Sequence, residues 1–148
     1  MTIDVKYQAV AQALGGRDGR VATDDGDLTF TLVVPKELGG PGGPGANPEK
    51  LFALGYSACF LSAMRAVSAR QKLRLPDDTA VTATVGIGPD GEGGFGLVVR
   101  LAVELPGVAQ ADAEDLVRKA HHTCPYSNAL RGKVEVSVAL AGRNEPVT

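Results

Sequence analysis

Apolar and polar positions alternate along the chain in a way that separates short strand-like runs from two longer helical ones. Lys6 to Gln12, Gly19 to Thr23 and Leu28 to Val34 read as strands, and Asp25-Gly26 is a hairpin signal, so the first third predicts a three-stranded antiparallel piece. Pro35 to Pro48, crowded with glycine and proline, supports neither helix nor ladder and reads as a long loop, functional or merely a linker. Asn47-Pro48-Glu49 is a helix start: Asn caps orphan amides, Pro suits the first helical position, and Glu suits the positive dipole end.

That helix is expected to run from Pro48 to about Lys72. Gly55, Cys59, Ser62, Ala66 and Ala69 recur along it every three or four residues, a stripe of small side chains that lets another backbone come close. Ala80 to Ile87 and Phe95 to Leu105 predict a second hairpin around Gly88-Pro89-Asp90-Gly91. Ala111 to Thr123 predicts a second helix, with Leu116, Val117 and Ala120 inward and Pro125 ending it. Val134 to Leu140 alternates as a half-buried strand. The order βββ-α-ββ-α-β argues for an α+β fold, antiparallel β-sheet packed on two main helices, in a single domain over 1–148.

Composition narrows the function classes. With 148 residues, 44% apolar and 22% charged, the chain is long and apolar enough for a hydrophobic core. Fifteen Lys and Arg against seventeen Asp and Glu give a net charge of −2, without the basic surplus that attracts nucleic acid or anionic lipid. The opening residues lack a basic segment followed by an apolar one, and no run is expected to reach the roughly 18 apolar residues of a membrane helix. A cytoplasmic protein is the expectation.

Two cysteines are present. Cys59, in mid-helix, reads on its own as a small core residue. A structural disulfide to Cys124 would close a loop of roughly 66 residues, worth about 4 kcal/mol in an oxidising compartment. In a redox pair the attacking thiol needs a nearby cation and the resolving thiol needs mobility and access. Cys124, at the negative end of the second helix beside Pro125, suits resolution better than attack. Cys59 must then find its cation elsewhere.

Four ordered motifs carry a resemblance that spans nearly the whole chain. Gly16-Arg17-Asp18-Gly19, Pro35-Lys36-Glu37-Leu38-Gly39-Gly40, the segment from Asn47 to Phe60, and Ala120-His121-His122-Thr123-Cys124-Pro125-Tyr126-Ser127 through Gly132 closely resemble the organic hydroperoxide resistance proteins of the Ohr/OsmC family. The resemblance implies an OsmC-like, intertwined homodimer with active sites at the subunit interface. It also implies Cys59 as peroxidatic cysteine, Cys124 as resolving cysteine, Arg17 as the cation that polarises thiolate and peroxide, and Glu49 as the carboxylate orienting Arg17. Organic hydroperoxide is the implied substrate and a dihydrolipoyl-type dithiol the implied reductant, with no cofactor and no metal. Arginine fits that role because its planar fork donates to sulfur and oxygen while pairing bidentately with a carboxylate. Leu38, Phe60, Phe95 and Tyr126 are candidates for an apolar substrate wall.

Helix geometry adds a constraint. Glu49 and Cys59 are ten positions apart, about 15 Å along a continuous helix, too far for one carboxylate–arginine–thiolate cluster. Either the helix breaks or the cluster uses two chains, and the small-residue stripe favours two chains. Rival readings are a Cys₂His metal set from His121, Cys124 and Cys59, which lacks a fourth ligand, the neighbouring OsmC branch of the family, and a noncatalytic structural or binding dimer with inert cysteines. Lys50, Leu54, Ser57, Ser62 and Lys133 depart from the family pattern without removing a chemical group.

Overall fold

The structure is a computed structural model and describes residues 2–148. The chain divides into two compact units, the first ending at Leu51 and the second running Phe52–Thr148.

In the first unit, β1 (Ala11–Leu14), β2 (Arg20–Thr23) and β3 (Thr29–Thr31) form the expected antiparallel sheet in that order. Val21 stands opposite Ala13 on one side and Phe30 on the other. The β1–β2 connection is a 3₁₀ turn, Gly16–Asp18. Gly15 and Gly16 enter it at φ 78° and 68°, and at Gly19 a Cβ would lie 1.8 Å from the Leu14 carbonyl oxygen. Only glycine fits such a turn, and it is the turn that displays Arg17.

Two boundaries differ from the sequence reading. β1 starts at Ala11, not Lys6, because its partner β2 ends at Thr23; the pairing runs out at the bond from the Asp24 amide to the Val10 carbonyl. Ile3, Val5 and Tyr7 therefore lie exposed on an unpaired stretch. β3 stops at Thr31 because Leu32 bridges to Ala46, which folds the end of the loop back beside it. The loop is a closed structure with its own 3₁₀ turn, Lys36–Leu38, and bonds from the Gly40 and Gly42 amides to Pro35 and Val34. That removes the linker reading.

α1 (Pro48–Gln71) begins as expected, with Asn47 Oδ1 accepting the Lys50 amide at 2.8 Å. It ends where Lys72 takes φ 55° and the Leu73 amide reaches back to Ser68, a left-handed cap made without glycine. Contrary to the expectation from the sequence, α1 is long and apolar enough to cross a membrane. Its Tyr56, Phe60, Met64 and Val67 are nevertheless buried in the core of the second unit, as befits a core helix.

The second unit continues with β4 (Ala80–Pro89), β5 (Phe95–Glu104), α2 (Gln110–Thr123), α3 (Pro125–Leu130) and β6 (Glu135–Leu140). The β4–β5 hairpin is tied at its tip by Asp90, whose Oδ1 accepts the Glu92 and Gly94 amides. Every second residue of β5 points inward, so Val99, Leu101 and Val103 meet Val138 of β6, the α1 face, and Leu116, Val117 and Ala120 of α2. Each such Val or Leu side chain contributes roughly 1.5–3 kcal/mol of burial.

The α+β fold stands as read, with two departures. β6 pairs parallel to β5, because the return from β5 crosses over through helices, whereas a tight turn would have made the pair antiparallel. Pro125 does not end the helical region; it is the first residue of α3. A missing amide costs nothing at that position, so one proline both stops α2 and starts α3.

Candidate active site

Arg17 and Glu49 form one cluster. The 3₁₀ turn presents the guanidinium and the first turn of α1 presents the carboxylate, where the helix dipole favours negative charge. Nη1 donates to Oε2 at 3.0 Å and Nη2 to Oε1 at 2.6 Å, a bidentate fork. The Arg17 side chain keeps 39% of its exposure and Glu49 only 13%. Hydrogen bonding to Arg17 holds the Glu49 carboxyl below its usual range, and the same bond raises Arg17. The fork uses two of five guanidinium N–H donors and leaves the others for a further acceptor.

Cys59 and Cys124 form the other cluster. Both are free thiols, with Cys124 Sγ donating to Cys59 Sγ at 3.5 Å. Cys124 is fully buried and Cys59 half-buried, which corrects the expectation of an accessible Cys124. Its amide bonds Ala120 and its carbonyl accepts the Asn128 amide, so it closes α2 and opens α3 in one residue. The two helix ends set opposing fields on it, not the single negative end expected from the sequence. Burial pushes the Cys59 thiol up, and Cys124 adds to this; the Tyr126 amide acts in the other direction.

An aromatic group neighbours the thiols in sequence on α1 and α3. Tyr126, 38% exposed, packs its ring 5.6 Å from Tyr56 and 5.7 Å from Phe52, and Phe52 meets Tyr56 edge-on at 5.9 Å. Tyr126 also lies over Gly55, where a Cβ would come 2.8 Å from its hydroxyl. Inside, the Tyr56 hydroxyl is 2.8 Å from Ser127 Oγ, both residues fully buried. Sequence reasoning passed over Phe52, Tyr56 and Ser127; the spacing of Phe52, Tyr56 and Cys59 on one helix face was the available signal.

The remaining candidates are scattered. Phe60 has no exposed surface and belongs to the core, Phe95 is 67% exposed where β5 begins, and Leu38 is half-buried in the 3₁₀ turn of the loop. Among the described residues no group of three His, Cys, Asp or Glu is placed to hold a metal ion. His121 instead sets its ring 6.5 Å from Phe60, with Nδ1 buried and unpartnered. A cavity of about 490 Å³ between β5, β6 and the start of α2 contains neither cysteine.

The site is thus two free thiols in hydrogen-bonding contact on an α+β scaffold. The chain belongs to the OsmC-like family, whose model, described as OsmC-like protein, matches residues 40–139. It is 52% identical to an organic hydroperoxide resistance protein of Xanthomonas axonopodis pv. citri over 93% of this chain and 96% of the relative. Among solved structures, an organic hydroperoxide resistance protein of Legionella pneumophila aligns with a TM-score of 0.87 at 48% identity, covering 93% of this chain and 98% of that one. OhrB of Bacillus subtilis aligns with a TM-score of 0.83 at 37% identity, covering 92% and 99%.

Proposed function

We propose that this protein is a thiol-dependent peroxidase that reduces organic hydroperoxides to alcohols and so serves organic hydroperoxide resistance, the role named for its relatives. The observation that carries this reading is the 3.5 Å approach of two free thiols, one half-exposed and one buried. Peroxide reaches the half-exposed sulfur first. Cys59 thiolate attacks the terminal peroxide oxygen, the O–O bond breaks, the departing alkoxide takes a proton from water to leave as alcohol, and Cys59 becomes a sulfenic acid. Cys124 then attacks that sulfur, the S–S bond forms, and the hydroxyl leaves as water. A lipoyl-type dithiol reopens the disulfide by exchange. The proposed compartment is the cytoplasm, where thiols are kept reduced between turnovers.

The thiolate needs a cation, and burial alone opposes it. α1 is one unbroken helix, so its residues Glu49 and Cys59 are about 15 Å apart along the axis. We therefore propose a homodimer in which the partner's Arg17 and the partner's Glu49 face Cys59. The outward side of α1 supports this: Ala58, Ser62, Ala66 and Ala69 are exposed and small, and Leu54 keeps 65% of its surface. The domain is then the whole chain, 1–148, working as one of two. Tyr126, with Phe52 behind it, forms an apolar wall beside Cys59, and Leu38 and Phe95 are the candidates to complete it in the dimer.

The raised Cys59 thiol also favours a second reading, a noncatalytic dimer with inert cysteines. Free-thiol titration with intact mass separates the two. Reduced protein treated with one equivalent of an alkyl hydroperoxide is expected to lose both thiols and about 2 Da, faster than with hydrogen peroxide. Survival of both thiols would establish the inert reading.

A further inference from the structure

We infer that the buried Tyr56–Ser127 hydroxyl pair is the clamp that sets the reach of Cys124 to Cys59, which makes both residues positioning residues for the disulfide-forming step. The inference rests on the peroxidase reading above. Tyr56 lies one helical turn before Cys59 on α1, and Ser127 lies three residues after Cys124 in the first turn of α3. The same two segments are thus joined twice: by the hydroxyls at 2.8 Å and by the sulfurs at 3.5 Å.

The two links behave differently during turnover. The sulfur contact is made and broken in every cycle, and in the sulfenic acid Cys59 carries an added oxygen that must be accommodated. The hydroxyl link involves no group that reacts. Tyr56 is 0% and Ser127 1% exposed, so water does not compete for their bond. Burial holds the Tyr56 phenol above its ordinary range against the opposing hydrogen bond with Ser127, and charge on Cys124 or Cys59 adds to the rise, so it remains a neutral hydroxyl beside the reacting sulfurs. Removing either oxygen leaves the other buried and unpaired, and the Cys124 segment loses its fixed register against α1. Attack of Cys124 sulfur on the Cys59 sulfenic acid, with the S–S bond forming and the hydroxyl departing as water, requires that register.

Tyr56→Phe and Ser127→Ala test this in the full-length protein, with cumene hydroperoxide as the probe and a sulfenic-acid trap added at timed intervals before mass analysis. Each variant should form Cys59 sulfenic acid within about twofold of the wild-type rate and convert it to disulfide about tenfold more slowly. The trapped adduct, and sulfinic acid under excess peroxide, should rise accordingly. Ser127→Thr, which keeps a hydroxyl, should restore resolution. The double variant should be no slower than the slower single one, because the two oxygens act as one link. Wild-type resolution in folded single variants would overturn the inference, as would equal slowing of both steps. Failure of the wild-type protein to form any disulfide would instead overturn the peroxidase reading on which it rests.

Discussion

The Arg17–Glu49 pair and the Cys59–Cys124 pair are built on opposite physical terms. The first is charged and partly solvated, held by two hydrogen bonds that keep both partners ionised. The second lies among core side chains, where burial opposes the charged form of Cys59. Reaction with peroxide needs both properties at one sulfur: a charged, donor-rich environment to make thiolate, and an apolar one to admit an organic molecule and protect the sulfenic acid. In the proposed homodimer, a second copy brings the charged pair to the thiol pair.

The comparison breaks most completely at the sulfur itself. Cys59→Ser should lower alkyl hydroperoxide consumption by about a thousandfold or more, since the proposed mechanism assigns the nucleophile to Cys59. Next comes Arg17→Ala, expected to cost about a hundredfold in kcat/KM; Arg17→Lys should recover only part, because an ammonium lacks the fork. Cys124→Ser keeps the proposed nucleophile and its proposed cation. It should complete its first turnover at nearly the wild-type rate and then accumulate sulfinic acid on Cys59, visible by intact mass.

Smaller effects sharpen the contrast. Glu49 has its carboxyl depressed in the folded state, so its contribution to stability is present above the ordinary glutamate range, near 4.3, and disappears as pH falls through its lower native value. With Arg17 substantially exposed, that contribution is at most about 1 kcal/mol. Melting temperatures of wild type and Glu49→Gln should therefore differ at neutral pH and converge in acid. Gly55→Ala should have the smallest effect: its Cβ displaces Tyr126, whose exposed ring can move aside, and alkyl-over-hydrogen-peroxide preference should fall by only about two- to threefold.

Local features were legible from residues alone. The Asn47 cap, both hairpins and the α1 and α2 spans follow from backbone chemistry acting over a few residues. Long-range features were not. Nothing in periodicity brings Cys59 to Cys124 across 65 positions, or Arg17 to Glu49 across 32; the cysteine count raised the first pair as one alternative, and the second came only through the four motifs. Pro125 was ambiguous because one residue ends α2 and begins α3, and that ambiguity also misplaced Cys124 as a free helix end. The direction of β6 depended on what lay between it and β5, which a strand's own alternation does not encode. Tyr56 and Ser127 were hidden among ordinary core and turn residues because their partnership is visible only once α1 and α3 are adjacent.

The central claim is that the charged pair of one copy serves the thiol pair of the other, and subunit mixing tests it most directly. Cys59→Ser and Arg17→Ala chains are unfolded together, refolded as a mixture and assayed with an alkyl hydroperoxide. A hybrid dimer then holds one complete site, Cys59 from the Arg17→Ala chain facing Arg17 of the Cys59→Ser chain, so activity should rise well above that of either parent. A mixture no more active than its parents, with hybrids demonstrated by mass, would contradict the claim.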